Sequence, residues 1–161
     1  MPQIVAGLVD AIAAKYRIDQ QREYLTGFSY GGTCTWRIAE QVPDQFAAIV
    51  PISTRAMRDP PATIDRLWSI PIYLVSGSQE WATPTCKTMA DALKSEEHPD
   101  YVYRIIEGGN HFSYPEIYQD PRFWDWLFAR KRSTATTQPT TQSSNPGQRP
   151  APHLSTDEPQ R

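Results

Sequence analysis

Apolar positions along the chain follow two alternating spacings, which predict helices and strands in turn. Ile4, Leu8 and Ile12 recur at the spacing of one helical face, and this first helix is expected to end near Tyr16. Short apolar runs further along predict strands, and the amphipathic stretches between them predict helices. The predicted strands are 22–28, 46–51, 70–76 and 101–107, and the further predicted helices are 32–42, 84–94 and 121–130.

Strands that alternate with helices are typical of an α/β fold. We therefore expect about four parallel strands with helices packed on the faces of the sheet. The first three strands are nearly continuous apolar runs, which is the pattern of strands covered on both faces.

The composition changes abruptly after Arg132. Residues 133–161 are mostly Ser, Thr, Gln and Pro, so ordering them would cost backbone entropy with little apolar surface to bury. The mean hydropathy of −0.56 fits a chain of which part lies outside a core. We expect one domain over residues 1–132 and a disordered tail over residues 133–161, with an O-glycosylated stalk as the alternative for the tail.

Charge and residue usage exclude several classes of partner. With 16 Lys and Arg against 18 Asp and Glu, the net charge is −2, which gives no basic face for nucleic acid. No apolar run is long enough for a membrane span, the N-terminus has no secretory layout, and the compartment stays open. Two cysteines cannot form a disulfide scaffold or a four-ligand zinc site. We expect free buried thiols, with a Cys34–Cys86 bridge as the alternative, and no metal or cofactor.

One motif carries candidate chemistry. Residues 27–31 fit G-x-S-x-G, between a predicted strand and a predicted helix, which is the context that a nucleophile elbow requires. The sharp turn would lift the Ser29 hydroxyl clear of the backbone, and we expect Gly27 and Gly31 to be glycines because side chains there would clash. The helix that follows would point its N-terminus at developing negative charge, and the N–H of Tyr30 would serve an oxyanion hole. A glycine-rich turn without catalysis is the alternative.

A serine nucleophile needs a base and an orienting acid, which follow later strands in the order Ser, acid, His. His111 lies in a glycine-rich loop just past the fourth strand, whereas His98 precedes that strand and lies at the wrong end of the sheet. Glu80 follows the third strand and is the candidate acid. Asp91 is a weaker candidate because it lies within a predicted helix, and Asp120 has the position of a helix cap.

These residues resemble the α/β-hydrolases of the serine esterase and predicted-peptidase type, close to the phospholipase/carboxylesterase, polyhydroxybutyrate-depolymerase-like and prolyl-oligopeptidase-like groups. The resemblance runs from about residue 4 to residue 131. The segments that carry it are 22–32, Trp36, 43–52, 70–73, 76–80, 109–111, 118–121 and 124–127. It implies that Ser29 is the nucleophile, Glu80 the triad acid and His111 the general base.

The chain departs from the family pattern at several points. Ser76-Gly77 stands where the family usually has His-Gly, Glu80 where it usually has Asp, and Tyr30 where Met is common after the nucleophile. The strands that precede the elbow in the family, and the loop that supplies the second oxyanion donor, have no counterpart here. We therefore expect a partial α/β-hydrolase fold whose first strand has an unpaired apolar edge, a candidate for self-association. The missing donor is worth about 2.7–4 kcal/mol of transition-state stabilisation.

The resulting hypothesis is a serine hydrolase that cleaves a small-molecule ester, or a peptide bond, through an acyl-enzyme. Trp81, beside the acid, is the candidate substrate-binding residue, with packing beneath its loop as the alternative. The competing hypothesis is a truncated, non-catalytic hydrolase fragment or interaction module that lacks the second oxyanion donor.

Overall fold

Four parallel strands form the centre of the computed structural model, which describes residues 2–132. Each strand is followed by at least one helix, whereas the sequence pattern predicts a helix after the first, third and fourth strands but none after the second. The strands are β1 (Tyr24–Phe28), β2 (Ala48–Ile52), β3 (Ile72–Gly77) and β4 (Tyr101–Ile106). The helices are α1 (Pro2–Ala13), α2 (Tyr30–Gln41), α3 (Pro60–Arg66), α4 (Thr83–Ser95), α5 (Pro115–Gln119) and α6 (Pro121–Phe128).

The strands pair in the order β1-β2-β3-β4, so each strand lies beside the next one along the chain. The register places Tyr24 opposite Ala48 and Ile72 opposite Tyr101. Because all pairings are parallel, the carboxyl ends of the four strands meet at one edge of the sheet, which we call the carboxyl edge.

Helices cover both faces of the sheet, and alternate strand residues supply two hydrophobic cores. Ile49 and Leu74 face one core, together with Trp36 of α2 and residues of α3 and α4. Val50 and Val75 face the other core, together with residues of α5 and α6. All residues of β2 and β3 are buried, whereas β1 is half-buried because it lies at an edge of the sheet. This is the expected α/β architecture of four parallel strands with helices on both faces of the sheet.

The structure adds two helices that the periodicity did not predict. Helix α3 begins at Pro60, where Asp59 caps it by accepting a hydrogen bond from the N–H of Ala62 at 3.2 Å. That signal, an acidic cap followed by proline, was readable in the sequence. Helix α5 has five residues, too few to show a period. The first helix ends at Ala13, before the expected Tyr16.

Both cysteines are free thiols, and the alternative of a bridge between them is wrong. Cys86 is fully buried, which raises the pKa of its thiol to about 12, whereas Cys34 is only half-buried. Helices long and apolar enough to cross a bilayer are absent from residues 2–132. The expected tail, residues 133–161, lies outside the described residues.

Strand β1 offers a free edge within the part of the chain that the structure describes, because it pairs with β2 alone. An unpaired strand edge is a template for pairing with another chain. We therefore predict that the 161-residue chain self-associates as its concentration rises, which sedimentation velocity measures. A single monomeric species at every concentration would contradict this prediction.

His98 is a buried histidine away from the carboxyl edge, and its contacts fix its neutral form. Its Nε2 lies 3.1 Å from the carbonyl oxygen of Leu67, and the N–H of Asp100 donates to its Nδ1 at 3.3 Å. The carbonyl can only accept, so Nε2 carries the proton. Burial lowers the pKa of His98 below its ordinary 6.5, because the charged imidazolium would be removed from water. The second proton would also lie on Nδ1, facing the N–H of Asp100.

This lowered pKa predicts a loss of stability in acid. Below pH 6.5 the unfolded chain takes up a proton at His98 that the folded chain does not, so the free energy of unfolding falls as pH falls. Urea unfolding between pH 5 and 7.5 measures this dependence. We expect His98→Gln, which retains a donor for Leu67, to weaken it, and an unchanged pH dependence would show that His98 does not carry it.

Candidate active site

Ser29 occupies a strained turn between β1 and α2. Its φ of 58° and ψ of −117° lie outside the conformations that non-glycine residues usually adopt. Its N–H still donates to the carbonyl oxygen of Ile52 at 2.9 Å, so the sheet bonding extends one residue past β1 before the chain reverses into the helix. No side-chain cap bond engages the Ser29 hydroxyl at the helix start, which leaves that hydroxyl at the carboxyl edge.

Two glycines let the chain pass so closely through this turn. A Cβ on Gly27 would overlap the backbone of Gly31 and lie 2.7 Å from Oγ1 of Thr35, and a Cβ on Gly32 would lie 2.5 Å from the carbonyl oxygen of Ile52. A Cβ on Gly31 would meet nothing within 4 Å. The expected clash at Gly31 is therefore wrong. It is the backbone of Gly31 that fills the space above Gly27, and Gly32 is the second glycine that the turn requires.

His111 reaches Ser29 from the loop that follows β4. Its Nε2 lies 3.0 Å from Oγ of Ser29. Two local bonds shape the loop: Asn110 accepts from the N–H of Phe112 through its side chain at 2.8 Å, and its own N–H donates to Oγ of Ser113 at 3.1 Å. The imidazole is one-fifth exposed, so it is accessible from solvent.

Glu80 lies on the other side of the imidazole, in the turn after β3. Its Oε2 is 2.6 Å from Nδ1 of His111, and its side chain is fully buried. Its Oε1 accepts from Oγ of Ser53 at 2.8 Å and from the N–H of Gly77 at 2.7 Å. A carboxylate can only accept, so the imidazole proton lies on Nδ1 and Nε2 is left to accept from the Ser29 hydroxyl.

Tyr30 and Trp81, the other two predicted site residues, flank this network. Tyr30 is the first residue of α2, so its N–H has no acceptor within the helix and points from the helix start beside Ser29. Trp81 is half-exposed, and its ring centroid is 5.3 Å from that of His111. The guanidinium of Arg55 lies over the same indole at 5.3 Å. The alternative that Trp81 is packed away beneath its loop does not fit this exposure.

Several neighbours of the network were not anticipated from the sequence. The ring centroid of Phe28 is 4.7 Å from that of the imidazole, and the centroid of Phe112, which is three-quarters exposed, is at 5.5 Å. Each phenylalanine is next in sequence to a predicted site residue, and this adjacency is the only sequence feature that could have pointed to it. Ser53 belongs to no motif, and the sequence held no sign of its contact with Glu80.

A separate cavity of about 480 Å³ lies at the opposite edge of the sheet, near the amino ends of β1 and β2. Glu23, Asp44 and Arg132 are among its lining residues. None of the side chains of the hydrogen-bonded network lines it. This cavity is therefore separate from the hydrogen-bonded network at the carboxyl edge.

Comparison with known proteins gives matches that cover parts of the chain. A model of the prolyl oligopeptidase family matches residues 1–57, a stretch that includes Ser29 and ends before Glu80. The bifunctional acetylxylan esterase/xylanase XynS20E of Neocallimastix patriciarum is 39% identical over 51 residues, which is 32% of this chain and 8% of that protein.

Solved structures match over a longer stretch. A thermostable esterase is similar with a TM-score of 0.72 and 25% identity, over 81% of this chain and 36% of that one. An S-formylglutathione hydrolase (FrmB) of Staphylococcus aureus shares the fold, with a TM-score of 0.59 and 18% identity, over 78% of this chain and 57% of that one. The chain thus spans less than two thirds of the length of each of these proteins. It has an α/β-hydrolase fold and is similar to these esterases over part of their length.

The contacts of Gly27 and Gly31 predict opposite effects on stability when each glycine is replaced by alanine. Gly27→Ala should destabilise the chain by about 1–3 kcal/mol or more, since the new methyl group overlaps backbone that cannot move away cheaply. Gly31→Ala is the matched control, and it should be neutral or stabilising by up to about 1 kcal/mol because alanine favours the helix. Urea denaturation measures both, and equal losses would contradict the contacts described.

Proposed function

We propose that this chain is a serine hydrolase that cleaves a carboxylic ester through an acyl-enzyme. In this proposal Ser29 is the nucleophile, His111 the general base and Glu80 the acid of the triad. The observation that carries it is the continuous pair of hydrogen bonds, 3.0 Å from Ser29 to His111 and 2.6 Å from His111 to Glu80. Nucleophile, base and orienting acid in such a row are the arrangement that acyl transfer requires.

Acylation would begin with attack of Ser29 Oγ on the ester carbonyl carbon. As the new C–O bond forms, the hydroxyl proton moves to Nε2 of His111, and the carbonyl oxygen becomes an oxyanion. The free N–H of Tyr30, at the positive end of α2, would donate to that oxyanion. When the tetrahedral intermediate collapses, the bond to the leaving oxygen breaks and His111 returns the proton to it, which releases the alcohol.

Deacylation would repeat these steps with water. His111 takes a proton from water as the water oxygen attacks the acyl carbon, and Ser29 leaves as a hydroxyl after recovering that proton. The His111 side chain is one-fifth exposed, so the proposal has water approach it from solvent.

Glu80 would stabilise the imidazolium that exists during both steps. Its carboxylate is removed from solvent, so its attraction for the positive ring is screened far less than at the surface. The same contact keeps Nδ1 protonated before the reaction, which presents the basic nitrogen to Ser29.

The groups around the network favour a substrate with an apolar or aromatic part. Trp81 is proposed as a substrate-binding residue, because its half-exposed indole lies beside the imidazole, and Phe112 exposes a second ring there. A peptide bond is the second candidate, which the match of residues 1–57 to the prolyl oligopeptidase family favours.

Single substitutions test these roles. Ser29→Ala and His111→Gln should each lower the rate of hydrolysis of 4-nitrophenyl acetate by about 10³-fold or more, because each removes a reacting group. Both variants should also lose covalent labelling by a fluorophosphonate probe, which transfers its phosphonyl group to an activated serine with release of fluoride.

His98→Gln is the matched control for His111→Gln, since it makes the same change at a histidine away from the carboxyl edge. It should label and turn over at the wild-type rate. Labelling of the folded Ser29→Ala variant at the wild-type rate would exclude Ser29 as the nucleophile. Near-UV circular dichroism establishes that each sample is folded.

A further inference from the structure

Ser53 lies where β2 ends and repeats the geometry that Ser29 has at the end of β1. Its φ is 51°, and its N–H donates to the carbonyl oxygen of Val75 at 2.8 Å, just as the N–H of Ser29 donates to that of Ile52. Two neighbouring strands thus each extend the sheet bonding by one residue and then turn through a left-handed serine. Ser53 is 3% exposed, so its hydroxyl does not face solvent.

The Ser53 hydroxyl donates to Oε1 of Glu80 at 2.8 Å, and the Glu80 side chain is fully buried. Because the carboxylate oxygen can only accept, the direction of this bond is fixed. The N–H of Gly77 donates to the same oxygen at 2.7 Å, so two donors from the ends of β2 and β3 hold Oε1 in place. A carboxylate held at one oxygen cannot rotate freely, and its other oxygen is thereby aimed at Nδ1 of His111.

The backbone conformation of Ser53 gives an independent reason to assign its side chain a role. Non-glycine residues in the left-handed region cost of order 1–3 kcal/mol, and glycine would adopt the same conformation without that cost. A serine at such a position indicates that its hydroxyl is needed there. The hydroxyl also supplies a hydrogen bond to a buried charge, which would otherwise be under-satisfied.

We propose that Ser53 is a positioning residue of the hydrolase, which acts on catalysis through Glu80 by fixing the orientation of its carboxylate toward His111. This inference rests on the proposed function. Ser53 touches neither Ser29 nor His111 in the described contacts, so its effect has to pass through the carboxylate of Glu80.

Substitution of Ser53 should change the turnover number while leaving substrate affinity alone. In metal sites, residues that orient a ligand by hydrogen bonding change affinity or activity by about 10- to 100-fold when they are substituted. By analogy with that range, we expect Ser53→Ala to lower kcat by about 10-fold. KM for 4-nitrophenyl acetate should stay within about 2-fold, because no contact of Ser53 reaches the open face. Ser53→Gly should lose kcat to the same extent even though it relieves the backbone strain, and it serves if the alanine variant folds poorly.

Ser76→Ala is the matched control. Ser76 is a buried serine near the end of β3 whose hydroxyl is 2.9 Å from that of Tyr103, and it is not among the hydrogen-bond partners described for Glu80. Its loss should also lower the free energy of unfolding, because a buried hydrogen bond is removed, while kcat stays unchanged. A merely structural role for Ser53 would make the two variants behave alike.

A double-mutant cycle identifies the route of the effect. In a Glu80→Ala background the additional Ser53→Ala change should alter kcat by less than about 2-fold, because its partner is gone. Losses that multiply, or a Ser53→Ala variant as active as wild type, would overturn the positioning role while the hydrolase function stands. If the folded wild-type chain neither hydrolyses the ester nor reacts with the fluorophosphonate probe, the proposed function fails, and the role of Ser53 fails with it.

Discussion

The hydrogen bonds of the buried Glu80 carboxylate hold the parts of the candidate site together. The carboxylate contacts the ends of β2 and β3 through Ser53 and Gly77, and it contacts the loop after β4 through His111. His111 in turn reaches Ser29 at the end of β1. Glu80 thereby contacts groups at the ends of β2, β3 and β4, and His111 links it to the end of β1. A charge that is removed from water has to be fully satisfied, and this requirement selects a single arrangement of the donors around it.

The sheet makes this arrangement possible because parallel strands present their carboxyl ends at one edge. The chain then departs from ordinary local rules at that edge. Ser29 and Ser53 adopt left-handed conformations, and glycines at 27, 32 and 77 allow backbone segments to approach more closely than a side chain would permit. Such violations cost stability, and they persist where the surrounding structure holds them in place for a function.

The sequence pointed to candidate site residues where a reactive side chain directly follows a predicted strand. The G-x-S-x-G motif and its context pointed to Ser29, and position after a strand pointed to Glu80 and His111 among the acids and histidines. In the structure, His111 lies within hydrogen-bonding distance of both Ser29 and Glu80. Ser53 could not be found in this way, because its proposed role depends on a contact with a residue 27 positions away that no local pattern records. The clash expected for a side chain at Gly31 was wrong for a similar reason. The backbone of Gly31 lies against Gly27, and this contact depends on the path of the whole turn.

The central claim is that the Ser29 hydroxyl is made reactive by His111, and identification of the acylated residue tests it most directly. The chain would be mixed with 4-nitrophenyl acetate, quenched in acid within the first turnover and digested with trypsin, and peptide 23–37 would be fragmented in a mass spectrometer. We expect one acetyl group, located on Ser29 and absent from the His111→Gln variant. Acetylation spread over several side chains, or equal acetylation of Ser29 without His111, would contradict the claim.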